Sequence, residues 1–389
     1  MTEVVITGIG QVPVGEHWEL SLRSLASRAI QAARLDAGGV EPQAMFIGNM
    51  LATTLSHQAN LGALLADNSG MRGIEGSTVE AAGASGGAAL RMGYLAVASG
   101  MVETALVVGV EKFTDMVGPE VEEALAQTTD SDYEAIHGVT PTSQAALLMQ
   151  RYLCDYEVMH PSFAGFSMTA HANSVANPNA IYRKAISAEQ YENAEMVCDP
   201  LTMFDIAPYA DGAAALLLTS QERVPEGFKH PLVRISGSSV VTDALALHDR
   251  QDPLAWLAAG FSVERACRQA GILPADVDLF ECFDAYSIYA ALSLEAAGFA
   301  RRGQGWQMAR DGQLGLHGTL PIATFGGLKG RGNPGGATGV YQAIEAVLQL
   351  RGEAGKNQVT GARLALVQSL GGPASTAVTH VLERMGGRD

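Results

Sequence analysis

The feature that most constrains this chain is an echo within itself. Ser85–Ala88 reads SGGA and Pro334–Ala337 reads PGGA. Each phrase opens an apolar stretch of helical length, followed in turn by Thr104–Val110 and Ala362–Val367, runs suited to buried strands. Gly86 and Gly335 lie 249 residues apart (335 minus 86). A whole turn–helix–strand order that returns once predicts two similar α/β halves, because each unit must bury its apolar face against a like one.

With 389 residues the chain can enclose a large core and divide into more than one unit. Its net charge of −16 disfavours a nucleic-acid-binding surface, which needs a basic footprint. Cys154, Cys198, Cys267 and Cys282 are scattered, with neither a CxxC pair nor metal-ligand spacing. No metal site is expected, and the thiols read as those of a reducing compartment. The start, MTEVVITGIGQVP, lacks a basic-then-apolar leader, and no apolar run reaches membrane-spanning length. A cytoplasmic protein is expected.

Along the chain, Val4–Ile9 reads as a first strand, Leu20–Leu35 as a helix and Ala44–Ile47 as a strand. Glu80–Gly100 reads as a long apolar helix entered through glycines. The segment from 112 to 196 breaks this rhythm: it is acidic, tyrosine-bearing and helical near Ser143–Leu153, with Asn173–Ile181 as a loop. It reads as an insertion or lid. The α/β alternation resumes at Ala213–Leu218 and from Val233. The expected division is 1–230, carrying the insertion, and 231–389.

Glycine-rich phrases let backbone amides approach a ligand or another helix, and both uses are open for AAGASGG at Ala81–Gly87. Neither this phrase nor GNPGGATG matches a nucleotide-binding fingerprint. Taken in order, AAGASGGAAL (Ala81–Leu90), DGAAALLL (Asp211–Leu218), ECFDAYS (Glu281–Ser287), GGLKGRGNPGGATG (Gly326–Gly339) and SLGGPAS (Ser369–Ser375) resemble the thiolases, most nearly their sterol-carrier and archaeal branch. The resemblance spans essentially the whole chain. It implies duplicated βαβαβαββ halves in a layered α/β arrangement with an inserted loop domain, coenzyme A thioester substrates and a homodimer.

Departures from the family pattern say more than the match. Gly83 stands where the nucleophilic cysteine of an AACASGG-like phrase is expected, and Asn333 replaces the histidine of GHP. Phe283 replaces the polar first residue of an HDAF- or NEAF-like phrase, and Gln368 and Ser369 occupy the region of the late acid/base residue. Glycine cannot form an acyl-enzyme, and asparagine cannot exchange a proton near neutral pH. Ordinary thiolysis is therefore not expected.

A site with this inventory can still polarise a thioester carbonyl. Backbone amides near Gly83 and Gly372, with Asn333, would form an oxyanion site able to stabilise the enolate released when a carbon–carbon bond breaks beside a CoA thioester. Retro-aldol cleavage of a β-hydroxyacyl-CoA to a shorter acyl-CoA and a ketone or aldehyde needs no more than that and a proton path. Asp284, Tyr286 and Tyr341 are the candidates for the proton steps, each with packing or local structure as its alternative role, and Tyr289 is a possible substitute. Lys329 and Arg331 could meet CoA phosphates or form ion pairs. The losses also resemble the cysteine-less aldolases of bacterial steroid side-chain degradation, which implies a small DUF35 partner with a zinc ribbon and an OB-fold, and active-site tyrosines. No permanently bound cofactor is expected, only CoA as part of the substrate. Two competing functions remain: a noncatalytic acyl-CoA-binding or scaffolding subunit, and a decarboxylative condensing enzyme. Cys282 is expected to point away from Phe283 and so not to replace the lost nucleophile.

Overall fold

The computed structural model describes residues 2–386. Nine strands form one mixed sheet: β1 (Val4–Gln11), β2 (Ala44–Gly48), β3 (Glu75–Val79), β4 (Thr104–Glu111), β7 (Gly212–Ser220), β8 (Val233–Thr242), β9 (Leu279–Glu281), β10 (Leu364–Gly371) and β11 (Thr376–Arg384). A separate two-stranded ribbon holds β5 (Met196–Cys198) and β6 (Leu201–Thr202). The order β3-β2-β4-β7-β1-β8-β11-β10-β9 is nearly symmetric about the β1–β8 contact. In the first half, β2 runs parallel to β3 and β4, while β7 is antiparallel to β1 and β4. The second half repeats this with β9 parallel to β10 and β11 antiparallel to β8 and β10. Its counterpart of β3 has shrunk to one parallel bridge, Phe280 to Ile322.

Side-chain alternation along the strands explains the layers. Leu106, Val108 and Val110 of β4 pack on the outer helix Leu22–Asp36, while Ala105 and Val107 face the inner helix Ser85–Ala98. On β10, Leu366 and Leu370 face the outer helices Leu257–Ala270 and Ser287–Ala296, and Ala365 and Val367 face the inner layer. Both β4 and β7 are buried throughout, which accounts for their unbroken apolar runs.

The middle of the molecule is a pair of helices, Ser85–Ala98 and Thr338–Arg351, one from each half. Each follows a single 3₁₀ turn, Ala82–Ala84 and Gly335–Ala337 respectively. The repeat is therefore real, but its register differs from the SGGA/PGGA match. The helices begin 253 residues apart (338 minus 85), so Gly83 is the partner of Gly336. SGGA lies in the first turn of its helix, whereas PGGA precedes its helix.

The two helix starts touch through glycine. A Cβ on Gly339 would lie 2.3 Å from Gly87 N, and one on Gly86 would lie 2.8 Å from Gly336 O. No side chain fits there. The inserted region carries the helices Pro119–Ala126, Pro141–Asp155, Ala164–Ser174 and Ala188–Glu192. The second of these starts earlier than its apolar spacing suggests because Thr140 and Ser143 form a capping box with proline in the first turn.

Gly339→Ala should cost more than the about 3 kcal/mol usual for overpacking, since backbone rather than side chain must move. The variant is expected to be insoluble or to unfold well below the wild type in a thermal melt; an unchanged melt would contradict the close helix contact.

Candidate active site

A small cavity lies where the starts of the two central helices meet the second half of the sheet. Its wall includes Ala82, Gly83, Phe283, Tyr286, Tyr289, Asn333, Gly335, Leu370 and Gly372, together with Tyr209, and it holds about 40 Å³. Met50, Leu125, Thr128 and Pro141 close the remaining side, the last three from the inserted region.

The turn that carries Gly83 is tightly specified. Ser85 Oγ accepts from Ala81 N at 2.9 Å and donates to Ala82 O at 2.6 Å. Ala82 adopts φ +49°, a conformation that costs a non-glycine residue roughly 1–2 kcal/mol. Such strain at a cavity wall is a mark of a site held in a required shape. Within this turn Ala82 N donates to Glu80 Oε1 and Ala84 N to Ala81 O, which leaves the Gly83 amide as the one without an acceptor among the described residues.

Gly83 is not merely a missing cysteine. A Cβ there would lie 2.7 Å from Leu370 O and 2.7 Å from Phe283 Cζ. The ring of Phe283 stands on the glycine, so two of the sequence departures are one steric event. Leu370 closes the same corner. Strand alternation places Leu370 on the cavity and turns Ser369 inward, where its Oγ donates to Gln342 Oε1 at 3.0 Å. Gln368 is committed to Ala259 O at 3.1 Å. Neither Gln368 nor Ser369 lines the cavity; the residue of this strand end that faces Gly83 is Leu370.

Asn333 is oriented by its own turn. Its Oδ1 accepts from Gly335 N at 3.2 Å and from Thr338 Oγ1 at 3.1 Å, which leaves the Nδ2 amide as its free donor among the described residues. Its backbone N donates to Pro208 O and its carbonyl accepts from Ala210 N, which fixes Tyr209 beside it. The ring of Tyr209 packs against Phe113 with centroids 5.0 Å apart.

Tyr286 and Tyr289 sit one helical step apart at the start of Ser287–Ala296, with ring centroids 4.8 Å apart. The Tyr286 hydroxyl is 3.1 Å from Thr142 Oγ1 and also meets the Tyr209 hydroxyl. Burial pushes its pKa up to about 12 against the opposing pull of those two hydroxyls. It is a protonated phenol at neutral pH. The Tyr289 hydroxyl is buried with no hydrogen-bond partner among the described residues, and burial raises it well above its ordinary value. A buried polar group left open in this way is costly unless a ligand or water meets it.

Four expected site residues lie elsewhere. The Tyr341 hydroxyl donates to Val12 O at 2.6 Å and to Ala213 O at 2.9 Å, binding the central helix to the sheet of the first half, while Arg331 packs on its ring at 4.9 Å. Arg331 is fully buried beside Glu345, with Nε 2.8 Å from Oε1. Those groups approach without aligned hydrogen bonds, and burial lifts the Glu345 carboxyl to about 8. Lys329 is 1% exposed, and its Nζ donates to Asp205 O at 2.5 Å and Phe204 O at 3.2 Å. Burial lowers its pKa to about 8. Neither cation can reach a phosphate at the surface. Asp284 is buried behind the cavity, its Oδ1 accepting from Leu328 N at 2.7 Å and its carboxyl raised by burial. It braces the loop that leads to Asn333.

Two contributors carry little signal in the sequence. Tyr209 precedes the DGAAALLL phrase without belonging to it. Glu111, at the end of β4, accepts from Met50 N (2.9 Å), Leu51 N (3.2 Å), Asn49 Nδ2 (2.8 Å) and Gly336 N (3.1 Å). One carboxylate thus ties the loop after β2 to the turn before the second central helix, and places Met50 and Gly335 in the wall. Burial raises it to about 7 in spite of these donors. Cys282, as expected, is absent from the cavity wall; it is buried and its thiol pushed well up by burial.

A duplicated, layered α/β fold whose paired helix starts floor one small, mainly apolar cavity is a thiolase-like architecture. Comparison with known proteins narrows it. The chain belongs to the thiolase family: the thiolase N-terminal domain matches residues 3–222 and the thiolase C-terminal domain-like region matches residues 239–384. It is 39% identical over 386 residues to the acetyl-CoA acetyltransferase of Methanothermobacter thermautotrophicus, covering 99% of this chain and 100% of that protein. It is 32% identical to sterol carrier protein 2 of Oryctolagus cuniculus over 82% of this chain and 60% of that one. Among solved structures, the Ltp2-ChsH2(DUF35) aldolase superposes with a TM-score of 0.83 at 23% identity, over 98% of both chains. At that identity the likeness speaks to the fold. No helix among the described residues is long and apolar enough to cross a membrane.

Gly83→Cys should not restore acyl transfer. The variant is expected to lose about 1–3 kcal/mol of stability by overpacking and to show no acyl adduct by intact mass after incubation with acetyl-CoA; a stoichiometric adduct would contradict the steric account. Tyr341→Phe should cost about 1–3 kcal/mol by stranding the Val12 carbonyl, since Ala213 O keeps its bond from Val12 N, while leaving affinity for CoA esters unchanged. A chemical melt and a binding titration check both halves of that statement.

Proposed function

We propose that the protein is a CoA-ester carbon–carbon lyase that cleaves a β-hydroxyacyl-CoA by a retro-aldol reaction, without an acyl-enzyme. The observation that carries this reading is the Gly83–Phe283 contact. It removes the nucleophile and fills its place, yet leaves the helix-start amides, the Asn333 donor and the tyrosine hydroxyls around the cavity. Relatives that are acetyl-CoA acetyltransferases support a CoA thioester substrate, but transfer through a cysteine has no residue to carry it here.

In this reading the thioester oxygen lies between Asn333 Nδ2 and the backbone amides at Gly83 and Gly372. These donors are fixed before the reaction and stabilise negative charge as it forms on the enolate oxygen. The β-hydroxyl lies against Tyr286 and Tyr289. Tyr286 is a phenol with a high pKa, so it does not begin as a base. It takes the β-hydroxyl proton as it passes its own to the Thr142 hydroxyl, which hands one on to solvent water, the source of the proton later taken at Cα, while Tyr289, with no other partner among the described residues, holds the β-oxygen. The electron pair of the Cα–Cβ bond moves onto the thioester, the β-carbon becomes a carbonyl, and the enolate takes up a proton at Cα. A ketone or aldehyde and a shorter acyl-CoA result.

The same reading includes a homodimer and a DUF35 partner. The Ltp2-ChsH2(DUF35) aldolase supports the latter through its likeness in fold. A steroid-derived acyl group belongs to this proposal as one substrate to be tried.

The test is product analysis by mass spectrometry with a panel of β-hydroxyacyl-CoA esters, steroid side-chain analogues included, with and without a co-purifying small protein. A shorter acyl-CoA with its matching carbonyl compound is expected. Tyr286→Phe should lower kcat about 100- to 1,000-fold with KM little changed, in keeping with the loss of a proton-transfer group. Intact substrate throughout, despite demonstrated binding, would overturn the lyase reading in favour of an acyl-CoA-binding subunit. Release of carbon dioxide from a malonyl-type thioester would instead indicate a condensing enzyme.

A further inference from the structure

The cavity bears on which acyl groups the protein accepts, an inference that rests on the CoA-ester reading. At about 40 Å³ it holds roughly three waters, or an acyl fragment of about two to four non-hydrogen atoms. The face of the wall that meets such a fragment beside the Gly83 turn is the ring of Phe283.

That ring cannot easily withdraw. Its neighbour Asp284 is anchored through Oδ1 to Leu328 N at 2.7 Å, and on the other side Cys282 O accepts from Gln342 Nε2 at 2.8 Å. The backbone that carries Phe283 is thus clamped from both flanks, and the side chain is 5% exposed. Beneath the ring lies Gly83, where any larger residue would collide with Leu370 O. The ring edge and the glycine form a matched pair that fixes one dimension of the cavity. Elsewhere in the wall, the backbone of Met50 is held by Glu111, its N–H donating to Oε2 at 2.9 Å.

We infer that Phe283 is the specificity-determining residue of this site, limiting the acyl fragment retained on CoA to two or three carbons. A ring system or long chain on the substrate then belongs to the carbonyl fragment that departs and lies outside this cavity. The contact that displaced the nucleophile also sets the size of the acyl unit.

The experiment measures binding, so it does not depend on turnover. Unreactive S-(2-oxoalkyl)-CoA analogues with two-, three-, six- and eight-carbon acyl equivalents are titrated calorimetrically into the full-length wild type, Phe283→Ala and Phe283→Leu. Wild type is expected to bind the two shortest analogues and to lose about tenfold or more in affinity for the longer ones, the scale on which a tight apolar wall rejects extra methylenes. Phe283→Ala should flatten this profile, with Phe283→Leu between the two. A profile that is the same in all three proteins, or a wild type that binds eight carbons as well as two, overturns the role of Phe283. Failure of wild type to bind any analogue or CoA itself overturns the CoA-ester reading, and the inference with it. Phe283→Leu, the milder change, keeps the test decisive if Phe283→Ala does not fold.

Discussion

The structure depends on one close contact, the meeting of two helix starts through glycine. With only hydrogen at Gly86 and Gly339, the backbone of each central helix reaches the other, and the turns that precede the helices come to share one floor. With it comes the place of Asn333 at the cavity edge, just before the turn that opens the second central helix. Glu111 secures the arrangement by accepting hydrogen bonds from both halves at once. A carboxylate buried so deeply is held there by four donors, and its removal would release two sides of the cavity together.

In the proposed reading, the chain has on that floor exchanged one chemistry for another by moving volume. A cysteine at position 83 and an aromatic ring at 283 cannot occupy the same space, and here the ring has it. What survives is the machinery for polarising a carbonyl, which depends on backbone and on an amide side chain, so it does not need the nucleophile. Tyr209, Tyr286, Tyr289, Thr128 and Asn333 bring the polar side chains of an otherwise apolar wall, and the Tyr289 hydroxyl has no partner among the described residues. In the proposed reading, that combination suits chemistry on a carbanion equivalent rather than on an acyl group.

Much of this was legible in the sequence, and the limits have physical causes. The two halves, the inner helices and the strands buried on both faces follow from apolar period and glycine placement, although the echo was matched four residues out of register because helix starts are read from glycines that either precede or occupy the first turn. Gly83, Gly372, Asn333 and Tyr286 do meet at the cavity. Tyr341 does not, because its distance along a helix says nothing of which carbonyls lie within reach of its hydroxyl. Lys329 and Arg331 read as phosphate ligands or as pair formers; both are buried, Lys329 against the carbonyls of Phe204 and Asp205 and Arg331 beside Glu345, and neither burial nor partner is visible in composition. Leu370, and neither of its polar neighbours Gln368 and Ser369, faces the cavity, since one residue of strand register decides which side chain does. The inward partners Tyr209 and Glu111 carry no motif at all.

The central claim is that this cavity stabilises an enolate beside a CoA thioester without forming an acyl-enzyme. Hydrogen exchange at the α-carbon of acetyl-CoA in deuterium oxide tests it directly, read by mass spectrometry of the thioester and of the intact protein in one sample. The account predicts deuterium uptake above the uncatalysed rate with the protein mass unchanged. Acetyl-CoA that stays protonated despite measured binding, or a protein that gains the mass of an acyl group, would contradict it.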